Sequence, residues 1–405
     1  MKLVLVGTHS SQTTGYARVM RGLAPRLAEF FDEVRVFGIQ SFGERPGALA
    51  GEFDARAADP RDAFGFGFDA LPGFLEDVAA DAVLLYNDPV VLGEYVKRVS
   101  TMRAPPRVFL YVDLVYKNMH ARHWGLFRHP VVAGVFAMSE CWKRELERIP
   151  GCKPIRVATH AVEVPRIDDA RGLLRVASDH VVFFNPNRNT RRKRGDLFVA
   201  AAARVLAADP DCEISFLMNS HHEAAYDLRD IAVREFVAHR PLATGADIEK
   251  LLDRLVINDK LLSEDDLWTV YAASDVIVTC SDGEGFGLCA AEGAAMGKAV
   301  IASAVGGAAD LFSIGTAPTA PSPAYMLSPK AMYYTDGRDG IGGYGELVDV
   351  EDLVKGMLFF ANAENRKRFG DLAAEHMKSR PSWSDVARGM AEFIHARHAS
   401  YAAEG

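Results

Sequence analysis

Cysteine is scarce in this chain of 405 residues: there are five (Cys141, Cys152, Cys212, Cys280 and Cys289), an odd number with no C-x-x-C pair. That excludes a zinc ribbon or a disulfide framework and fits a reducing, cytoplasmic setting. No stretch approaches the roughly 18 apolar residues of a membrane-spanning helix. The opening apolar run, Leu3–Val6, is too short for the core of an export signal and reads as a first strand. Gly 34 and Pro 19 are too few for a fibrous or low-complexity chain. Positive charge is in deficit, 46 Lys+Arg against 54 Asp+Glu for a net −8, which argues against a general binder of nucleic acid or anionic membranes. What remains, at 49% hydrophobic residues, is a folded chain long enough for two domains of roughly 100–200 residues each.

Short apolar runs recur through the sequence with helix-like stretches between them: Leu3–Val6, Val34–Ile39, Ala82–Tyr86, Val108–Val112 and Val131–Met138, then Val181–Phe184, Ile214–Met218, Leu255–Ile257, Val276–Thr279 and Ala299–Ala302. Continuous runs without alternation are the mark of strands buried on both faces, and the helical stretches supply the crossovers of parallel sheets. The fold class is α/β, as two doubly wound sheets joined near residues 163–175, where Pro165 and a charged stretch interrupt the apolar runs. A cleft between the sheets, beyond the carboxyl ends of the strands, is the expected place for ligands. Thr316–Tyr344, rich in Pro and Gly, reads as a surface excursion. The last segment places Val386, Met390, Phe393 and Ile394 on one face of an amphipathic helix.

Two constellations carry chemistry. In the first, strand Val276–Cys280 runs into a loop with glycines at 283, 285 and 287, and an Ala-rich helix begins near Leu288. Glycines there let backbone N–H groups approach an anion, and the helix N-terminus adds roughly half a positive charge. Glu284 and Glu292 flank this turn, and carboxylates accept hydrogen bonds from the hydroxyls of a hexose or a ribose. The bland alternative is a surface Glu followed by a helix-favouring one. In the second constellation, Arg188, Arg191, Arg192, Lys193 and Arg194 precede a helix starting near Leu197, at the end where the macrodipole disfavours cations. An anion there would offset them. A diphosphate fits, with Arg188 and Lys193 reaching it and ranking above Arg192. A solvated basic turn is the plain rival; a nucleic-acid patch is disfavoured because the cluster has no aromatic residue.

Arg188 and Lys193-Arg-Gly195 after a strand, then Glu284-Gly-Phe-Gly-Leu288 and Glu292 in E-x7-E spacing, resemble the retaining glycosyltransferases of glycosyltransferase family 4, which have the GT-B fold. Ser139, His160-Ala-Val-Glu163 and Trp383 extend the resemblance over most of the chain, and its look is closest to the enzymes encoded by large DNA viruses of algae, which would place it in host cytoplasm. The resemblance implies an N-terminal Rossmann-like acceptor domain (1–165), a C-terminal Rossmann-like donor domain (166–380) and a final helix (381–405) crossing back to the first domain. It implies that Arg188 and Lys193 hold the donor diphosphate, and that Glu284 with Gly285, Phe286, Gly287 and Leu288 holds the sugar and phosphate. Glu292 would bind the ribose, Asn258 and its neighbours would lie near the base, and Gly15 would let the first domain approach. The implied partners are a nucleotide-sugar donor, GDP-mannose first, and a glycan or glycoconjugate acceptor, with a homodimer left open. UDP-glucose and UDP-N-acetylglucosamine are the other donors to consider.

Two positions depart from that pattern. Tyr111-Val112-Asp113 keeps the family's Asp but has Val where a His is usual, and Thr14-Gly15 replaces a Gly-Gly pair. Asp113, His160, Asn219 and His221 are candidate cleft residues. His221 and His222 suggest a metal, but they are adjacent and no third ligand is spaced to join them; with no Asp-x-Asp after a strand, the expected chemistry uses neither metal nor other cofactor. The rivals are a non-catalytic sugar-nucleotide-binding relative and a dinucleotide-dependent oxidoreductase. The latter is disfavoured because the first turn, Gly7 to Gly15, lacks G-x-G-x-x-G.

Overall fold

The computed structural model describes residues 1–42, 53, 56–59, 61–168, 170–173, 177, 179–260, 262–313, 322–335 and 340–404. The chain divides into two compact units. Unit 1 comprises Met1–Ala161, Tyr334–Tyr344 and Pro381–Gly405, and unit 2 comprises Val162–Tyr333 and Gly345–Arg380. The change of unit falls between Ala161 and Val162, just before the expected joint at 163–175, part of which lies outside the described residues.

Unit 1 runs β1 (Lys2–Thr8), α1 (Gly15–Leu27), β2 (Glu33–Ile39), β3 (Arg56–Ala57), α2 (Leu71–Val78), β4 (Ala82–Asn87), α3 (Pro89–Val99), β5 (Arg107–Val112), α4 (Trp124–Arg128), β6 (Val132–Ala137), α5 (Glu140–Glu147) and β7 (Ile155–Val157). Its sheet has the order β3-β2-β1-β4-β5-β6-β7, parallel throughout. Every residue of β4 and β6 is buried, as expected for central strands covered by helices on both faces. The chain leaves β1 in one direction to β2 and β3 and returns on its other side as β4, so the strand order reverses between β1 and β4.

Unit 2 begins with β8 (Val181–Asn185), α6 (Gly195–Ala208), β9 (Ile214–Asn219), α7 (Leu228–His239), α8 (Gly245–Arg254), β10 (Leu255–Asn258) and α9 (Glu264–Ala273). It continues with β11 (Val276–Thr279), α10 (Leu288–Ala295), β12 (Ala299–Ser303), α11 (Gly306–Leu311) and β13 (Tyr325–Leu327). Its parallel sheet has the order β10-β9-β8-β11-β12-β13, so here the reversal lies between β8 and β11. Phe183 of β8 stacks on Phe216 of β9 at 5.5 Å, and the small buried face Ala201–Ala203 lets α6 lie close to them. Then follow β14 (Ala331–Tyr334), β15 (Tyr344–Leu347), α12 (Val350–Ala361) and α13 (Ala363–Lys378). The reading of 316–344 as a plain excursion is corrected: β13 extends the main sheet and β14 pairs with β15. Proline and glycine content signalled the turns there but hid short strands, β13 beside β12 and β14 beside the nearby β15; residues 316–321 and 336–339 lie outside the described set.

The last helix, α14 (Trp383–Glu404), belongs to unit 1. Val386, Met390 and Ile394 are buried, Phe393 meets Phe136 edge-on at 5.2 Å, and the Trp383 indole occupies the space where a side chain at Gly22 of α1 would stand. Serine 382 starts the helix by accepting the Asp385 N–H at 3.2 Å, while the Asp385 carboxylate accepts the Ser382 N–H at 3.1 Å. Trp383 is 4% exposed, so Trp383→Ala is expected to cost about 3–5 kcal/mol of unit 1 stability, read as a lowered denaturation midpoint with α14 losing amide-exchange protection first.

Candidate functional site

The loops that follow β8 and β11 meet at the reversal point of unit 2, where a doubly wound sheet leaves room for a ligand. The β11 loop is buried from Ser281 to Gly287. Gly287 has φ +94°, a left-handed conformation that turns the chain into α10. At Gly307, at the start of α11, a Cβ would fall on the carbonyl oxygen of Gly285, so only glycine permits that approach. The Gly307 N–H donates to the Glu284 carbonyl at 2.9 Å, the Asp282 N–H to the Arg192 carbonyl at 3.0 Å, and the Glu346 N–H to the Asp282 carbonyl at 2.8 Å. Tyr333 O–H donates to the Asp282 carboxylate. The loop is therefore tied down on three sides, and α10 begins at Leu288 with first-turn N–H groups that lack intrahelical partners.

Glu284 is the electrostatic centre of this loop. Its carboxylate accepts hydrogen bonds from Lys193 Nζ, from Ser281 Oγ at 2.9 Å and from Arg192 Nη1 at 3.3 Å. Arg192 Nη1 also donates to the Gly283 carbonyl at 2.6 Å. Burial pushes the Glu284 carboxyl up, but the Lys193 and Arg192 charges and the Lys193 and Ser281 hydrogen bonds outweigh it and hold the group at about 2. The expected need for an outside anion is thus partly met within the chain. Arg194, in a left-handed conformation at φ 51°, pairs with Asp196 at 2.6 Å, and Lys193 and Arg192 pair with Glu284. Arg192, ranked below Arg188 and Lys193 for the diphosphate, holds both the carbonyl and the carboxylate of adjoining loop residues. Arg188 and Arg191 are exposed.

Glu292, on α10, is 1% exposed and accepts from Tyr271 O–H at 3.0 Å. Asn258 Nδ2 donates to Asn219 Oδ1 at 2.7 Å, joining the ends of β10 and β9. Asn185, fully buried at the end of β8, accepts from the backbone and side chain of Asn187 at 3.0 Å, whereas its Nδ2 meets no acceptor. His221 and His222 lie on the loop after β9, and Asp259, directly after β10, brings its carboxylate to 2.7 Å from His222 Nδ1. The expectation that no third ligand joins the histidines is corrected. The third group comes from the neighbouring strand, which spacing along the chain does not reveal.

The remaining candidates belong to unit 1. Gly15 is the first residue of α1, after an N-cap Thr14 that accepts the Ala17 N–H at 3.2 Å. Asp113, directly after β5, accepts from Tyr16 O–H. Tyr16 stacks on Tyr86 at 4.9 Å, Tyr86 lies 4.9 Å from Tyr111, and His160 packs edge-on against Tyr86 and Tyr111 at 5.9 and 5.6 Å. Burial alone lowers the His160 imidazole to about 3, so it is neutral at physiological pH.

Comparison with known proteins bears on both units. Sucrose-phosphate synthase from Thermosynechococcus elongatus superposes with a TM-score of 0.72 over 99% of this chain and 100% of that one, at 16% identity. HepE of Anabaena, solved in complex with UDP-glucose, gives 0.67 over 98% and 100%, at 14% identity. The chain has the GT-B fold. Within this GT-B chain, residues 179–321 match the family model of glycosyl transferases group 1, a stretch that lies in unit 2 and contains both basic and glycine loops. A D-inositol 3-phosphate glycosyltransferase of Geodermatophilus obscurus is 34% identical over 152 residues, which are 34% of this chain and 29% of that protein.

Ser281, Tyr271 and Tyr333 were not among the candidate site residues, and Arg192 and Asp259 entered only as members of the basic cluster and of the run around Asn258. Ser281 stands next to the glycine loop and was legible as a local partner of Glu284; the tyrosines come from distant segments and left no signal. For His160, the unfolded chain takes up a proton near pH 6.5 while the folded chain resists it down to about 3. Stability is therefore full above pH 6.5 and falls as the pH drops toward 3, at up to about 1.4 kcal/mol per pH unit. Denaturation midpoints between pH 6.5 and pH 5, above the carboxylate range, are expected to decline in the parent and to decline less steeply in His160→Phe, since burial also lowers His9, His123, His180 and His395.

Proposed function

We propose that this GT-B protein is a retaining glycosyltransferase that moves a hexose from a nucleoside-diphosphate sugar to an acceptor hydroxyl. The observation that carries the reading is the Glu284 loop: a buried, glycine-built turn at the strand-order reversal of unit 2, with Lys193 and Arg192 on its carboxylate and the α10 N-terminus beside it. The match of residues 179–321 to the glycosyl transferases group 1 model supports it.

In this reading the sugar's anomeric carbon exchanges its bond to the diphosphate for a bond to the acceptor oxygen. The acceptor hydroxyl passes its proton to the diphosphate oxygen that leaves with the electron pair of the broken bond. The difficulty is the charge gathering on the departing diphosphate, which fixed cations and N–H dipoles stabilise without reorganising. Lys193 has three N–H donors. One is engaged by Glu284, which sets the position of the ammonium, and the others serve the phosphate oxygens. Arg188, exposed at the head of the same loop, adds a fork of donors. Glu284 and the N–H groups of residues 286–288 hold the sugar and phosphate, Glu292 the ribose, and Asn258 lies near the base. In this reading Arg188, Lys193 and the α10 N-terminus meet the diphosphate charge, and no metal is assigned there.

GDP-mannose is the first donor to test, on the family resemblance; UDP-glucose, which HepE is solved with, is the second. A calorimetric screen of nucleotide sugars, nucleoside diphosphates and NAD decides the class: one nucleotide sugar and its diphosphate bind, and transfer or donor hydrolysis exceeds background. Tight NAD binding with none for GDP or UDP overturns the proposal, and binding without any turnover leaves a non-catalytic relative. Lys193→Ala is expected to weaken diphosphate binding about tenfold or more. Arg188→Ala should weaken it with the denaturation midpoint unchanged. Lys193→Ala, which removes the main charge from the buried Glu284, and Arg192→Ala, which also releases the Gly283 carbonyl, should both lower that midpoint as well.

A further inference from the structure

β9 and β10 are parallel neighbours with Asn219 and Asn258 in register, so the residues that follow each strand emerge side by side. The Ser220 N–H donates to the Asn258 carbonyl at 3.0 Å, which holds the two strand ends together one residue further on. His221 and His222 then occupy one loop and Asp259 the other. Each offers a ligand atom, and these atoms all lie within 4.8 Å of one another. Both oxygens of Asp259 face His222, one accepting its backbone N–H at 3.0 Å and the other standing 2.7 Å from Nδ1. On the opposite side of that ring, a Glu223 carboxylate oxygen lies 3.7 Å from Nε2.

We propose that His221, His222 and Asp259 bind one zinc ion. Two imidazoles and a carboxylate form a borderline donor set of the kind that takes zinc rather than magnesium or calcium. Metal–ligand bonds of about 2.0–2.2 Å place tetrahedral ligand atoms roughly 3.3 Å apart, so the side chains close inward by a modest rotation. His221 is exposed and can make that movement. The backbone beneath is already arranged: Asn189 Nδ2 donates to the His221 carbonyl at 3.0 Å and the Tyr226 carbonyl at 2.7 Å, and the Asn189 N–H donates to Ser220 Oγ. Water completes the coordination. Asn189 lies one residue after Arg188, so the ion would order the basic loop together with the histidine loop. The inference rests on this cluster and not on the glycosyl-transfer reading.

The test uses the full chain without a histidine tag. Zinc binding is measured by calorimetry, and cobalt substitution by the visible absorption of a tetrahedral site. One ion per chain is expected, with affinity lowered about tenfold or more in His221→Ala and in Asp259→Asn and unchanged in His239→Ala, an exposed histidine elsewhere in unit 2. Zinc should also raise the denaturation midpoint of the parent and not of Asp259→Asn. Absence of a tetrahedral cobalt spectrum, or zinc affinity that neither His221→Ala nor Asp259→Asn changes, overturns the proposal, whatever the outcome of the donor screen.

Discussion

A carboxylate inside a protein has to be neutralised where it stands, and unit 2 is arranged around that requirement at Glu284. The group is 8% exposed, and removing one partner of such a pair strands a buried charge at a cost of about 3–5 kcal/mol. Lys193, Arg192 and Ser281 answer it. Because Arg192 reaches the Gly283 carbonyl as well, the same contacts that satisfy the charge fix the backbone of the glycine loop. The ion pair thereby joins the segments after β8 and β11, one on each side of the strand-order reversal, and α10 starts from the loop they hold.

The basic loop then has a division of labour that its composition does not display. Three of its five cations are committed to carboxylates of the chain, Arg194 to Asp196 and both Lys193 and Arg192 to Glu284. Arg188 and Arg191 stay exposed at its edge. An acidic chain can carry such a cluster because the cations are locally balanced before any ligand arrives. Asn189 ties this loop to the histidine loop through three carbonyls of residues 221, 222 and 226, so an event at either loop has a direct mechanical route to the other. In unit 1 the corresponding constraint is apolar: a column of Tyr16, Tyr86 and Tyr111 packs against His160, and Asp113 takes the hydrogen bond of its outermost hydroxyl.

Much of the fold was legible because buried parallel strands announce themselves as continuous apolar runs, and each of the ten runs marked in the sequence is a strand of one of the two sheets. The glycine loop was legible for the same kind of reason, since a strand, three spaced glycines and an Ala-rich helix are all local. The strands β13 to β15 were not: they have three or four residues each and lie in a segment whose proline and glycine content masks them. Which of the five neighbouring cations meets Glu284 was not legible, because they look alike until their partners are placed.

The sequence by itself determined the α/β class, the positions of the long strands and the presence of an anion-binding kind of turn near residue 284, since each follows from the order of residues within one short segment. Tertiary structure alone decided which cation meets Glu284, that Tyr271 meets Glu292, and that Asp259 joins His221 and His222. These pairs depend on strand order and register. A parallel sheet sets beside one another the ends of strands separated by dozens of residues, and no spacing within the chain encodes that neighbourhood.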